Sequence, residues 1–113
     1  MTGDEVAQLL ERGEIALLDV RTRAEYEGEA GYPCDPRQGH ISGAVNLELE
    51  EVYSAGPDIR GLLEERGVDS GARIVAYCHS GSRSEMAAAL LRAAGLDATN
   101  YAGSWHEWSR REP

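Results

Sequence analysis

The stretch from Ile74 to Ala94 constrains the fold more than any other part of the chain. An apolar run, Ile-Val-Ala-Tyr, ends at Cys78. Small or polar residues and an arginine follow, before apolar residues return at helical spacing from Met86. This pattern predicts a strand, a tight loop and a helix, with a thiol at the bottom of the loop. The backbone N–H groups of such a loop and the positive end of the helix dipole would stabilise a thiolate and an adjacent anion.

Short apolar runs alternate with helical patterns along the rest of the chain. Strands are predicted at Ile15 to Val20, around Val45 to Leu47, at Arg73 to Tyr77 and at Ala98 to Tyr101. Longer helices are predicted from Thr2 to Arg12, from Ile59 to Arg66, and from Ser82 or Ser84 to Ala94. A short helix is predicted after Thr22, which would cap it, one helical turn from Glu48 to Tyr53, and a final helix after Gly103-Ser104. The alternation favours an α/β domain with a mainly parallel sheet. In such sheets ligands bind at the carboxyl ends of the strands, where we expect Asp19, Arg21 and Cys78 to lie.

The net charge of −9 argues against several classes of partner. With 113 residues the chain has the size of one domain, which we expect to span residues 1–113. Its acidic balance argues against nucleic acid and against an anionic membrane surface. A small anionic substrate would also be repelled by the overall field. An anion site therefore has to be built from local N–H groups and a local arginine such as Arg83.

The cysteine content and the N-terminus predict the compartment. The opening residues lack the basic and apolar regions of a secretory signal, and no apolar run approaches the roughly 20 residues of a membrane span. Two cysteines in such a chain are more often free than paired, so we expect a reducing cytoplasm. Cys34 is interpreted as an incidental exposed thiol or, alternatively, as a resolving thiol for Cys78. The spacing of histidines and cysteines predicts no metal site, and we expect no cofactor.

Four motifs, in order along the chain, resemble a rhodanese domain, the fold of the sulfurtransferases. They are Leu-Leu-Asp-Val-Arg at 17–21 with Glu25-Tyr26, Gly-His-Ile-Ser-Gly-Ala-Val-Asn at 39–46, Tyr-Cys-His-Ser-Gly-Ser-Arg-Ser at 77–84, and Tyr-Ala-Gly-Ser-Trp-His-Glu-Trp at 101–108. The last motif is most similar to the catalytic C-terminal half of two-domain thiosulfate and mercaptopyruvate sulfurtransferases. The resemblance implies a three-layer α/β/α fold with a mainly parallel sheet of four to five strands.

The resemblance also implies a chemistry. Cys78 would attack a sulfane donor as a thiolate, become a persulfide, and pass the sulfur to a thiol, a dithiol or cyanide. The substrate-binding residues it implies are those of the cysteine loop, His79, Ser80, Gly81, Ser82, Arg83 and Ser84. Asp19, Arg21 and His40 would support the loop. Thiosulfate is favoured as donor over mercaptopyruvate, because the mercaptopyruvate-type loop has glycine at position 79 and threonine at position 83.

Loop length and two departures from the family pattern define the alternatives. Four residues separate Cys78 from Arg83, whereas cysteine phosphatases place five residues there, so a phosphatase or arsenate reductase is disfavoured. Vertebrate thiosulfate enzymes carry a lysine where Ser80 stands here and an arginine where Glu25 stands, which leaves weaker charge support for a thiosulfate anion. A second hypothesis is that the chain is a non-enzymatic sulfur-carrier or regulatory rhodanese module.

Several of these residues also have a structural interpretation. Arg83 could form an ion pair, for example with Asp19. The ring of His79 could either lower the pKa of Cys78 or face solvent. Trp105 and Trp108, three residues apart on the last predicted helix, are interpreted as core residues.

Overall fold

A computed structural model of the chain describes residues 1–111. Its centre is a sheet of four parallel strands in the order β2-β1-β3-β4. The strands are β1 (Ala16–Asp19), β2 (Val45–Asn46), β3 (Ile74–Tyr77) and β4 (Ala98–Asn100). The helices are α1 (Gly3–Glu11), α2 (Arg23–Tyr26), α3 (Leu49–Ala55), α4 (Ile59–Glu65), α5 (Ser82–Ala93) and α6 (Ser104–Trp108). A short 3-10 turn, Gly56–Asp58, joins α3 to α4. The predicted α/β class with a parallel sheet is confirmed.

Helices cover the sheet on both faces, which gives three layers. One face packs against α3, α4 and α5, and the other packs against α1 and α6. Neighbouring strand residues point to opposite faces. Leu17 and Val75 therefore join the core under α1 and α6, while Leu18 and Ala76 join the core under α3, α4 and α5. Burial on both faces explains why the strands read as continuous apolar runs in the sequence.

Threonine caps begin α1 and α2 as predicted. The Thr2 hydroxyl accepts a hydrogen bond from the Glu5 N–H, and the Glu5 carboxylate accepts one from the Thr2 N–H, both at 3.1 Å. Thr22 and Glu25 form the same reciprocal motif at 3.2 Å. This capping box satisfies N–H groups that a helix start would otherwise leave unpaired. At α2 it has a further effect, because it fixes the position of the Glu25 side chain.

Helix α3 is longer than the single turn that the sequence predicted, since it runs for seven residues. The Glu51 carboxylate accepts a hydrogen bond from the Glu48 N–H at 3.0 Å, which stabilises the helix start. Val52 is buried in the core beneath the helix. Among residues 1–111, none of the helices has the length and apolar character needed to cross a membrane.

A buried carboxylate, Asp19, joins the carboxyl ends of β1 and β3. Arg21 donates to both of its oxygens, with Nε 3.0 Å from Oδ1 and Nη2 2.7 Å from Oδ2. The Tyr77 hydroxyl donates to Oδ2 at 2.7 Å and accepts from the Ile41 N–H at 3.0 Å. Arg21 Nη2 also donates to the Gly39 carbonyl at 2.5 Å. The segment between α2 and β2 is therefore tied to the sheet beside the cysteine loop.

We expect Tyr77→Phe to lower the free energy of unfolding by about 1–3 kcal/mol, because it leaves the buried Ile41 N–H without its acceptor and removes a donor to Asp19. Urea unfolding followed by circular dichroism measures the change. The matched control is Tyr53→Phe, which should stay within about 0.5 kcal/mol because Tyr53 is 69% exposed and water satisfies its hydroxyl. Equal stabilities for the two variants would contradict this account of the network.

Candidate active site

Cys78 directly follows β3, and its sulfur lies inside the loop that leads into α5. The residue is only 1% exposed. Its Sγ accepts hydrogen bonds from the Gly81 N–H at 3.1 Å and from the Ser84 hydroxyl at 3.3 Å. Since α5 begins at Ser82, the sulfur also lies at the positive end of that helix. The two hydrogen bonds and the helix end favour a sulfur that carries negative charge.

Two opposing effects determine the pKa of the Cys78 thiol. Burial acts to raise it, because a thiolate loses the solvation of water. Hydrogen bonds from the Ser84 hydroxyl and from the backbone N–H groups of Ser84, Gly81 and Ser80 act to lower it. The hydrogen bonds outweigh burial, so the pKa of Cys78 lies below that of an ordinary cysteine. The groups responsible are neutral donors of the loop itself.

The tight turn of the loop depends on Gly81. Its φ is +100°, a left-handed conformation that residues with a side chain rarely adopt. A Cβ at this position would lie 2.8 Å from the carbonyl oxygen of Ala102, which is backbone and cannot move aside. Glycine therefore allows the loop to bring its N–H groups toward the sulfur while it passes close to the segment after β4.

The start of α6 holds the cysteine loop from the other side. The Ser104 hydroxyl accepts a hydrogen bond from the Cys78 N–H at 3.1 Å, and the Trp105 N–H donates to the Cys78 carbonyl at 2.9 Å. The His106 N–H donates to the His79 carbonyl at 2.9 Å. Ser104 has a φ of +56°, which is uncommon for a residue with a side chain. Sequence reasoning took Ser104 as part of a helix cap and missed this contact.

Arg83 forms an ion pair with Glu25 and not with Asp19, the partner suggested from the sequence. Its Nη1 and Nη2 donate to the two Glu25 oxygens at 2.8 and 3.1 Å. Burial alone would raise the pKa of Glu25, but hydrogen bonds from Arg83 and its positive charge, with help from Thr22, lower it to about 2. The same pairing raises the pKa of Arg83. Asp19 pairs instead with Arg21, and both are buried.

The ring of His79 is buried. Its contacts are with Asp35 and Tyr32, and not with solvent or the Cys78 sulfur. Nε2 lies 2.9 Å from Asp35 Oδ2, and the Tyr32 ring stacks on it with 3.7 Å between centroids. Both partners come from the segment 28–39, which connects α2 to β2. The backbone and the ring of His79 therefore anchor the loop.

His40 lies on the far side of the Asp19 network. Its ring stacks on Tyr26 with 3.7 Å between centroids, and Nδ1 lies 2.7 Å from the Tyr26 carbonyl oxygen. The Tyr26 hydroxyl in turn donates to the Ala44 carbonyl at 2.7 Å. His40 thus ties the turn before β2 to the end of α2, and its support of the cysteine loop stays a prediction.

Cys34, Asp35 and His79 form a cluster that sequence spacing did not indicate. Their potential ligand atoms lie within 4.8 Å of one another, as in sites that bind a metal ion. The Asp35 carboxylate already accepts a hydrogen bond from Arg110 Nη1 at 2.9 Å, in addition to its contact with His79. Hydrogen bonds account for this arrangement, so its role is to hold segment 28–39 against the cysteine loop. Asp35 itself escaped the sequence analysis because it has no local motif.

The family model for the rhodanese-like domain matches residues 2–111. The thiosulfate sulfurtransferase of Azotobacter vinelandii is 35% identical over 102 residues, which cover 84% of this chain and 37% of that protein. The crystal structure of a "Probable Thiosulfate Sulfurtransferase" aligns with a TM-score of 0.79 and 44% identity, over 97% of this chain and 44% of that one. The human single-domain sulfurtransferase TSTD1 aligns with a TM-score of 0.73 and 30% identity, over 100% and 96% of the two chains.

The chain spans less than half the length of the curated relatives it matches. The matched residues 2–111 contain the four motifs, the four strands of the sheet and the loop around Cys78. The family match and the solved structures agree with the resemblance seen in the sequence and with the observed three-layer fold. The chain belongs to the rhodanese-like domain family.

Proposed function

We propose that the protein is a sulfurtransferase that moves a sulfane sulfur from thiosulfate to a thiophilic acceptor through a persulfide on Cys78. The observation that carries this proposal is the environment of the Cys78 sulfur. It accepts hydrogen bonds from Gly81 and Ser84 and has a lowered pKa, in a loop with four residues between the cysteine and Arg83. Relatives named thiosulfate sulfurtransferase support the choice of donor.

The reaction has two half-reactions. In the first, the Cys78 thiolate attacks the outer sulfur of thiosulfate; a sulfur–sulfur bond forms to Cys78, and the bond to the sulfonate group breaks with release of sulfite. In the second, an acceptor such as a thiol, a dithiol or cyanide attacks the terminal sulfur of the persulfide and regenerates the thiolate. Donor and acceptor need not be bound together, so ping-pong kinetics are expected.

The loop residues have two proposed tasks. The N–H groups from His79 to Ser84, with Ser80, Gly81 and Ser82 between them, would hold the terminal sulfur of the persulfide. The Arg83 side chain would face the approaching donor as the paired partner of Glu25. Asp19 and Arg21 would support the loop through Tyr77, the residue before Cys78, and His40 would support it indirectly through Tyr26. A free Cys78 thiol is needed for every turnover, so we place the reaction in the reducing cytoplasm.

The size of the loop favours sulfur over phosphate. One residue fewer between Cys78 and Arg83 than in cysteine phosphatases gives a smaller ring of N–H groups around the reacting atom. Neutral donors already contact the Cys78 sulfur, and they would hold an anionic persulfide without a full cationic cradle. Phosphatase and arsenate reductase activities are therefore disfavoured relative to sulfur transfer.

We expect incubation with thiosulfate to add the mass of one sulfur to the intact protein, and cyanide to remove it with formation of thiocyanate. Cys78→Ser should lose this loading entirely, because serine cannot form a persulfide. The matched control is Cys34→Ser, which should load like the wild type. Sulfur loading that persists in Cys78→Ser would overturn the proposal. Loading without thiocyanate turnover would favour the carrier module, and hydrolysis of a phosphate ester without loading would favour a phosphatase.

We also predict that Ser84→Ala raises the pKa of Cys78. The Ser84 hydroxyl bonds the charged form of the sulfur, so its loss favours the thiol. The rate of alkylation by iodoacetamide rises with the thiolate fraction, so the midpoint of its pH dependence should move to higher pH. The control is Ser54→Ala, at an exposed serine on α3. A midpoint that is the same in Ser84→Ala and the wild type would show that this hydroxyl does not stabilise the thiolate.

A further inference from the structure

We propose that Glu25 is a specificity-determining residue that cancels the charge of Arg83 and so lowers the preference of the site for dianionic sulfur donors. Donors with a single negative charge, such as organic thiosulfonates and persulfides, then compete well with thiosulfate. This inference rests on the proposed function. It concerns which sulfane donors the site accepts, and not whether Cys78 carries the sulfur.

The Glu25–Arg83 ion pair has a bidentate geometry. Both terminal nitrogens of Arg83 are directed to Glu25, at 2.8 and 3.1 Å, as in a bidentate arginine–carboxylate pair. Glu25 is 9% exposed, and the Thr22 N–H and hydroxyl donate to its Oε1 at 3.2 and 3.1 Å. With a pKa near 2, the Glu25 carboxylate is charged throughout the neutral pH range. Arg83 therefore meets an incoming anion as one half of a neutral pair.

The surroundings offer a dianion little other attraction. The hydrogen bonds that lower the pKa of Cys78 come from a serine hydroxyl and backbone N–H groups, none of which carries a full charge, and the charged side chain that interacts with the sulfur is Arg83, the partner of Glu25. On its outer side Arg83 lines a shallow groove of about 360 Å³ together with two carboxylates, Glu48 and Glu50. The whole chain has a charge of −9. A second negative charge on the donor thus adds repulsion that the site does not offset.

The same displacement at sulfur works for both donor classes. With thiosulfate, the Cys78 thiolate takes the outer sulfur and sulfite leaves with the bonding electron pair. With methanethiosulfonate, the thiolate takes the sulfane sulfur and methanesulfinate leaves in the same way. The two donors share the reacting atom and differ in one charge. Because the Coulomb energy is proportional to the charge of the donor, a change at Glu25 should affect thiosulfate about twice as strongly on a logarithmic scale.

Glu25→Gln tests the inference, since glutamine keeps an oxygen for the Thr22 cap and removes the charge. The measured quantity is the second-order rate of sulfur loading on Cys78, followed by quenched-flow intact mass. We expect the rate to rise about tenfold with thiosulfate and about threefold with methanethiosulfonate. Both gains should shrink as salt increases from 0.02 to about 0.5 M, because dissolved ions screen the charge of the donor as it approaches the site. The matched control is Glu85→Gln, an exposed carboxylate on α5, which should change both rates by less than about twofold.

The double variant Glu25→Gln/Arg83→Gln removes both charges of the pair and covers the case in which the single variant folds poorly. We expect it to keep the wild-type ratio of thiosulfate to methanethiosulfonate loading within about threefold, because a neutral pair is replaced by two neutral residues. A loss of thiosulfate loading by more than about tenfold, with methanethiosulfonate unchanged, would show that Arg83 binds the dianion despite Glu25 and would overturn the inference.

The outcomes separate this inference from the proposed function. Wild-type protein that loads sulfur from neither donor overturns the proposed function. If the wild-type protein loads sulfur but Glu25→Gln changes the ratio of thiosulfate to methanethiosulfonate loading by less than twofold, the role of Glu25 is overturned and the proposed function stands. A fall in thiosulfate loading in folded Glu25→Gln would do the same, because it would show that Glu25 serves to position Arg83 for the donor.

Discussion

The position of the site depends on a buried charge, the carboxylate of Asp19. Taking a carboxylate out of water costs several kcal/mol unless its oxygens are fully bonded. Arg21 and Tyr77 supply those bonds, and Arg21 in turn reaches the Gly39 carbonyl and lies 5.1 Å from the ring centroid of Trp105. One carboxylate thus links β1, β3, the turn before β2 and α6, the segments that surround Cys78. The pair matters here for the geometry it enforces more than for the stability it adds.

The groups that donate hydrogen bonds to the reacting sulfur are neutral. The Cys78 sulfur is stabilised by dipoles and neutral donors, whereas the nearby guanidinium of Arg83 is engaged by Glu25. Hydrogen bonds aimed at a fixed point need no reorganisation when the sulfur becomes charged. A site of this kind keeps its nucleophile activated within a strongly acidic protein, and it leaves the recognition of donor and acceptor to the charges around the loop.

The sequence predicted those parts of the molecule that local pattern determines. The alternation of apolar runs and helical periods gave the parallel sheet, and the carboxyl ends of β1 and β3 brought Asp19 and Cys78 to one edge. The Thr22 to Glu25 spacing revealed the helix cap, but not that the carboxylate turns to Arg83, 58 residues away. Asp35 and Ser104 were missed for the same reason. Contacts between loops depend on how the finished layers bring distant segments together, and no short motif records them.

The hydrogen bonds between the start of α6 and the cysteine loop have a consequence for the order of events during synthesis. Cys78 leaves the ribosome 26 residues ahead of Ser104, which accepts its N–H, and ahead of β4, which pairs with β3. The donors to the sulfur belong to the loop itself, but α6 fixes the backbone of Cys78 on the other side. The contacts that hold the nucleophile in place are thus completed only after the chain beyond it has been made.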